Sequence, residues 1–416
     1  MFFSKLVSET LEEKERSVVM LSPAKRLEGL GASVFTEMDN LKRELEKEGK
    51  ALINLSIGSP DRAPAMEIRQ VLSQAVFDET QYGYTLTRGT EEFRKACAAW
   101  YLERFGVALN SETEVLPLMG SQDGLAHIFL AYINPGDLAL IPDPGYPIYT
   151  AGLILAGGEK VAFPLLKENG FLPDLRKIDP NIARKAKLML LNYPNNPTAA
   201  VASLSFFEEV VEFARKYDLL ICHDVAYSEL AFEGYRPVSF LQAQGAKEVG
   251  IEFHSVSKTY NLAGARLGFV VGNADVIGTL AQLKSNIDYG VFGPVLKAGA
   301  FALSSVQDSI EENRNAYQRR RDILIEGCSQ AGWNIPIPQG SMFIWAPVPT
   351  KQDSVAFARE LAREAGVIVV PGLAFGEHGE GYVRIAMVQD ESVLQEAVRR
   401  IQRFLLKGGL KGLGTI

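Results

Sequence analysis

Short apolar runs, each closed by polar or turn-forming residues, alternate with amphipathic stretches through the middle of the chain. This alternation narrows the fold more than any other feature. Residues 138–141, 188–192, 219–222, 250–253 and 267–271 form such runs. They are too short for apolar helices and too continuously apolar for half-exposed strands, so they read as strands covered on both faces. Between them lie helical patterns such as 206–217, preceded by Ser205 with Glu208 three residues later, a predicted capping box. Strand–helix alternation of this kind predicts a doubly wound α/β unit with a mostly parallel sheet.

The texture changes after about residue 300. A long charged helix is expected over 306–331, followed by apolar runs at 342–345, 366–370 and 382–385 and a helical stretch near 353–365. The reading is a larger α/β domain over 58–305 and a smaller α+β domain built from 22–57 together with 306–410. An N-terminal arm or extension is expected over 1–21 and a flexible, glycine-rich tail over 411–416. A cleft between two such units is the default place for a small ligand.

Composition excludes several classes of function. The formal net charge of −7 over 416 residues argues against a nucleic-acid partner, which needs a basic face. No run of about 18 apolar residues marks a membrane span, and Glu9, Glu12, Glu13 and Glu15 interrupt the start of the chain where an export signal needs an apolar stretch. Three cysteines (Cys97, Cys222 and Cys328) with no CxxC pair point to reduced thiols and a cytoplasmic location. The four histidines, His127, His223, His254 and His378, have no metal-ligand spacing, so no metal centre is expected. For His223 and His254 a packing role at strand ends is expected.

Polar clusters follow the expected strands, which is where open α/β sheets bind ligands. Gly120-Ser121-Gln122 comes after the apolar run 115–119 and opens a helical stretch. Its backbone N–H groups suit a phosphate, and equally an ordinary helix cap. Asn192-Tyr-Pro-Asn-Asn-Pro-Thr198 fixes a turn, of either structural or functional purpose. Asp224, directly after an apolar run and three residues before Tyr227, needs a cation nearby to stay charged, whether in an ion pair or against a ligand. Ser255-Val-Ser257-Lys258, with Arg266 eight residues on, offers hydroxyls, an amine and a guanidinium: a solvated basic loop, or a phosphate site beside a nucleophilic lysine.

Taken together, in this order, these clusters resemble the fold-type I pyridoxal-5′-phosphate enzymes of the class I/II aminotransferase family. The resemblance runs from about residue 23 to 406 and is most specific at Ser255-Val-Ser-Lys-Thr-Tyr-Asn-Leu-Ala-Gly-Ala-Arg266. It implies the α/β fold of the PLP-dependent transferases, pyridoxal 5′-phosphate as cofactor, and a homodimer. It also implies roles. Lys258 carries the cofactor and shuttles the substrate proton. Asp224 pairs with the pyridinium nitrogen, and Asn196 and Tyr227 meet the ring's phenolic oxygen. Ser121, Gln122, Ser255, Ser257 and Arg266 hold the phosphate, and Tyr146 stacks on the ring. Arg384 clamps the substrate α-carboxylate, which the backbone at Gly58 approaches. Tyr84 and Asn286 match positions that reach across a dimer interface to cofactor and substrate. One departure is Ala199, which follows Asn-Pro-Thr where many members have glycine.

Within the family the stretches 142–147, 171–174, 251–254 and 375–381 resemble the LL-diaminopimelate aminotransferases, although no tyrosine stands between residues 20 and 45, where some of those carry a substrate contact. The expected activity is amino-group transfer from an L-amino acid to a 2-oxo acid by a ping-pong mechanism. Alanine, aspartate, aromatic and methionine transaminases remain alternatives, as does a PLP-dependent C–S lyase of the same fold. A PLP-binding regulator is disfavoured, since about 20 residues before the matched region are too few for a DNA-binding module.

Overall fold

The computed structural model describes residues 22, 24–30, 34–305 and 307–409. The expected arm over 1–21 and tail over 411–416 lie outside the described residues.

The strands in chain order are β1 (Ile53–Asn54), β2 (Val115–Leu118), β3 (Leu138–Asp143), β4 (Glu159–Pro164), β5 (Ala186–Asn192), β6 (Leu220–Asp224), β7 (Gly250–Ser255), β8 (Gly268–Gly272), β9 (Phe343–Pro347), β10 (Val367–Ile368), β11 (Val370–Pro371) and β12 (Tyr382–Ala386). Seven of them form one sheet in the order β2-β8-β7-β6-β5-β3-β4. Only β8 runs against its neighbours; the pairs β3–β4, β3–β5, β5–β6 and β6–β7 are parallel. The crossing helices explain why the strands read as unbroken apolar runs. Along β5, Leu188 and Leu190 enter the core on one face, with the helices Ser121–Tyr132, Pro147–Ala156 and Ala274–Lys284. Met189 and Leu191 enter the core on the other, with Glu91–Phe105, Leu204–Tyr217 and Gly293–Ser305. Successive side chains point to opposite faces, and both faces are covered.

The helix expected over 206–217 begins earlier, at Leu204, and its cap is Ser203, whose hydroxyl accepts from Phe206 N at 3.2 Å. The predicted capping box at Ser205 does not form. A cap residue needs extended backbone, which Ser203 has (φ −88°, ψ 163°), whereas Ser205 already stands inside the first turn.

The second unit has its own core. An antiparallel sheet β11-β12-β9 and the parallel pair β1–β10 pack with the helices Val34–Lys47, Gln307–Gln330, Ser354–Glu360 and Glu391–Phe404, burying Met38, Leu41, Leu45, Leu324, Phe357 and Ile401 among others. The run 366–370 is split: Val367–Ile368 pair with β1, and Val370–Pro371 with β12. The turn Lys25–Leu30 lies against the helix Pro147–Ala156 of the larger unit. All three cysteines are free and buried, and among the described residues no helix is long and apolar enough to cross a membrane.

Candidate active site

The register of the large sheet sets Asn192 beside Asp224 and Asp224 beside Phe253, so the polar ends of β5, β6 and β7 share one edge. That edge faces β12 and Phe343 of the smaller unit across a cavity of about 750 Å³. Gly58, Ser121, Gln122, Tyr146, Asn196, Asp224, Tyr227, Ser255, Ser257, Lys258, Arg266 and Arg384 all line it.

One corner gathers groups that could hold a dianion. The helix Ser121–Tyr132 starts at Gly120 (φ +82°) with no side chain capping it, so its first N–H groups point outward. Arg266, itself in the left-handed region (φ 53°), lays its guanidinium so close that a Cβ on Gly120 would stand 2.5 Å from Nη2. Gly268 permits a second close approach: a Cβ there would stand 2.7 Å from Ser121 N and 2.6 Å from the His254 carbonyl. Ser255 and Ser257 add hydroxyls, and Ser255 Oγ also accepts from Ser257 N at 3.2 Å. Backbone donors, hydroxyls and a forked guanidinium around one small space match a phosphate.

Asp224 ends β6, buried. Tyr149 donates to its Oδ2 at 2.8 Å and Ala226 N to its Oδ1 at 3.2 Å. Burial pushes this carboxyl above the ordinary aspartate range, against the pull of those two donors. Tyr149 was not singled out from the sequence. The available signal was its position three residues after Tyr146, which on a helix starting at Pro147 turns both rings toward the strand ends. Asn192 clamps the two strand ends together, donating to the Asp224 carbonyl at 2.8 Å and accepting from Asn196 N at 2.7 Å. The turn that follows contains cis bonds before Pro194 and Pro197, and Ala199 closes it at φ 59°.

Lys258 donates to the Gly58 carbonyl across the cavity. Burial, then the Arg384 and Arg266 charges, lower its amine to about 8, with Asp224 opposing. Arg384, from β12, donates to Asn196 Oδ1 at 2.9 Å and to the Ser56 carbonyl at 2.7 Å. Its guanidinium carbon lies 4.1 Å from the centre of the Phe343 ring and 4.7 Å from that of Phe375. Burial lowers it to about 10, with Tyr227 and Tyr146 pulling the other way. Phe343, the floor under both Arg384 and Tyr227, gave no signal in the sequence beyond belonging to an apolar run.

Tyr84 and Asn286 line no part of this cavity. Tyr84 is 93% exposed, with its ring 6.0 Å from that of Tyr289, and exposed Asn286 donates to Gln282 O at 2.9 Å. Nor do His223 and His254 face it. His223 Nδ1 meets Glu252 Oε1 at 2.7 Å while its Nε2 accepts from Tyr193 N at 3.2 Å. His254 stacks on Phe269 at 4.9 Å and shares a hydrogen bond with the Tyr101 hydroxyl. Asp123, His127 and Asp288 come together outside the cavity lining, and the buried Lys284 ammonium sits on both carboxylates, at 2.5 and 2.8 Å.

The sequence model of the aminotransferase class I and II family matches residues 50–401. An LL-diaminopimelate aminotransferase of Moorella thermoacetica is 48% identical over 387 residues, covering 93% of this chain and 99% of the relative. Another, of Syntrophobacter fumaroxidans, is 49% identical over 380 residues, covering 91% and 98%. Among solved structures, substrate-bound BacF of Bacillus subtilis superposes with a TM-score of 0.89 at 38% identity, covering 93% of this chain and 98% of that one. A probable N-succinyldiaminopimelate aminotransferase of Thermus thermophilus gives 0.85 at 38%, covering 89% and 100%. The chain is an aminotransferase and belongs to the class I and II family.

Proposed function

We propose that this aminotransferase holds pyridoxal 5′-phosphate in the cavity and moves an amino group from LL-diaminopimelate to a 2-oxo acid, 2-oxoglutarate being the acceptor we favour. The observation that carries the cofactor reading is the donor set. A dianion corner, a buried carboxylate with no cation hydrogen-bonded to it, and an amine lowered to about 8 surround one space. A phosphorylated pyridine aldehyde fits all three, and when bound it supplies the electron sink and carries the amino group between substrates.

The protein's own residues then divide the work. Ser121, Ser255, Ser257 and Arg266 hold the phosphate, with Gln122 beside them. Asp224, kept in place by Tyr149, would meet the ring nitrogen and favour its protonated form. Asn196 and Tyr227 would meet the ring's phenolic oxygen, and Tyr146 would cover the ring. Arg384 is braced by Asn196 and Ser56 and receives the substrate α-carboxylate through paired N–H groups, beside the Gly58 backbone. Lys258 binds the cofactor and, with its lowered pKa, takes and returns the α-proton near neutral pH.

The same reading includes a homodimer in a reducing cytoplasm. Tyr82, Tyr84, Leu86, Ile287, Tyr289 and Phe292 are exposed together, joined by the Tyr84–Tyr289 and Tyr82–Phe292 contacts. An apolar patch of this kind marks an interface, and covering it with a second copy would bring Tyr84 and Asn286 toward the partner's cavity.

The test is the visible absorbance of the holoenzyme titrated separately with LL-diaminopimelate, glutamate, alanine, aspartate and methionine. Stoichiometric bleaching by LL-diaminopimelate, reversed by 2-oxoglutarate, is the expected result. Bleaching only by another donor removes the substrate assignment, and steady ammonia release from a single amino acid favours a lyase.

A further inference from the structure

Among the described residues six charged side chains line the cavity, and the proposed function occupies four of them: Asp224, Lys258, Arg266 and Arg384. The other two, Asp39 and Lys42, belong to the helix Val34–Lys47 of the smaller unit. They are three residues apart and so share one helix face. Met38, beside Asp39, also lines the cavity while Leu41 and Leu45 are buried in the core, which fixes the helix against that unit. Arg359 and Arg363 pair with the helix's Glu37 and Glu44.

The partners that Asp39 and Lys42 now have are weak ones. Asp39 pairs with Arg43 at 2.7 Å and Lys42 with Glu46 at 3.4 Å. Both are pairs four residues apart on one helix, with Lys42 partly exposed and the other three side chains about half exposed or more, a class of contact that water screens and a ligand replaces at little cost. One carboxylate and one ammonium therefore stand ready on the wall, separate from the groups that take the phosphate, ring and α-carboxylate. Only a substrate whose far end carries an ammonium and a carboxylate answers both charges. An aliphatic, aromatic or thioether side chain answers neither.

We propose that Asp39 and Lys42 determine specificity by receiving the distal ammonium and distal carboxylate, respectively, of a diamino dicarboxylic acid. This rests on the LL-diaminopimelate reading and deepens it by assigning the residues that would read the second amino-acid end.

The experiment measures kcat and KM of the holoenzyme for wild type, Asp39→Asn, Lys42→Met and the double variant. The donors are LL-diaminopimelate, 2-aminopimelate (no distal ammonium), lysine (no distal carboxylate) and alanine (neither). Asp39→Asn is expected to raise KM for LL-diaminopimelate about 10-fold or more, with kcat changed less than about threefold, and to erase the preference over 2-aminopimelate. Lys42→Met does the same against lysine. Turnover of alanine, however slow, stays within about twofold of wild type in every variant. Equal losses on all four donors, or unchanged KM for LL-diaminopimelate, overturn the assignment while leaving the proposed activity standing. A wild-type enzyme that uses alanine or lysine but not LL-diaminopimelate overturns both.

Discussion

Replacing Asp224 with asparagine should strengthen the cofactor-free protein and weaken the holoenzyme. The carboxylate is buried, and its hydrogen bonds come from the Tyr149 hydroxyl and Ala226 N. A buried charge with no counter-ion hydrogen-bonded to it, Lys258 acting on it only through space, costs about 4 kcal/mol. The 2.8 Å bond from Tyr149 returns roughly 2 and the longer one from Ala226 about 1. An amide keeps this geometry without the charge if its oxygen accepts from Ala226 N and its NH2 donates to the Tyr149 hydroxyl, leaving asparagine ahead by about 1 kcal/mol at neutral pH. The sign has a pH signature. Because burial raises the native pKa above the unfolded 3.8, the stability of the wild type is full below that value and falls as pH rises through the native pKa. The advantage of Asp224→Asn should therefore be present at pH 7.5 and vanish near pH 3.5. Urea unfolding of both cofactor-free proteins at the two pH values measures it. With pyridoxal 5′-phosphate at saturation the order should reverse, since wild type gains about 2.7 kcal/mol at 100 times its Kd and the variant has lost the ring-nitrogen partner. A variant less stable than wild type without cofactor, or an advantage that does not change with pH, refutes the view of Asp224 as a charge waiting for a cation.

The buried carboxylate of Glu252 makes the opposite case: it accepts from His223 Nδ1, Phe240 N and Tyr101 at 2.7 Å each and from the Ser239 hydroxyl, and its pKa is lowered despite burial. Glu252→Ala should lower unfolding free energy by about 3–5 kcal/mol and Glu252→Gln by about half that, in urea titrations of the cofactor-free protein. His254 is depressed by burial from 6.5 to about 3, so the unfolded chain binds the extra proton between those values. Stability should fall with decreasing pH across that window at about 1.4 kcal/mol per unit from this group, and His254→Gln should flatten the slope. Gly268→Ala forces a Cβ to within 2.7 Å of Ser121 N and 2.6 Å of a carbonyl, so the dianion corner must open. Equilibrium dialysis should show cofactor affinity reduced at least 10-fold, and unchanged affinity would detach Gly268 from that corner.

Much of the candidate site was legible because residues that share the cavity stand where the chain leaves an apolar strand. Asp224 and Ser255 are the last residues of β6 and β7, and Asn192 of β5, so the local pattern that marked the strands also marked the edge where the groups converge. What periodicity did not carry was direction. His223 and His254 precede these residues on the same strands, and period-two alternation sends their rings into the core on Glu252 and Tyr101, away from the cavity. Tyr149 and Phe343 were hidden for the reverse reason: an aromatic in an apolar run reads as core until a partner such as Asp224 or Arg384 is seen against it. Contacts across the two units were also beyond reach. Arg384 and Ser56 are 328 residues apart in the chain yet hydrogen-bonded, and Asp39 lies in a helix whose charges look like an ordinary solvated face. Ala199 shows how tertiary structure outweighs local preference. An alanine at φ 59° costs about 1 kcal/mol relative to its preferred backbone, and the turn still closes, with Ala199 N on the Asn195 carbonyl and Thr198 on the Asn195 side chain. The strain is confined to a buried turn whose other members set Asn196 against Arg384, so the sequence tolerates a poor local choice where the global arrangement leaves it no alternative.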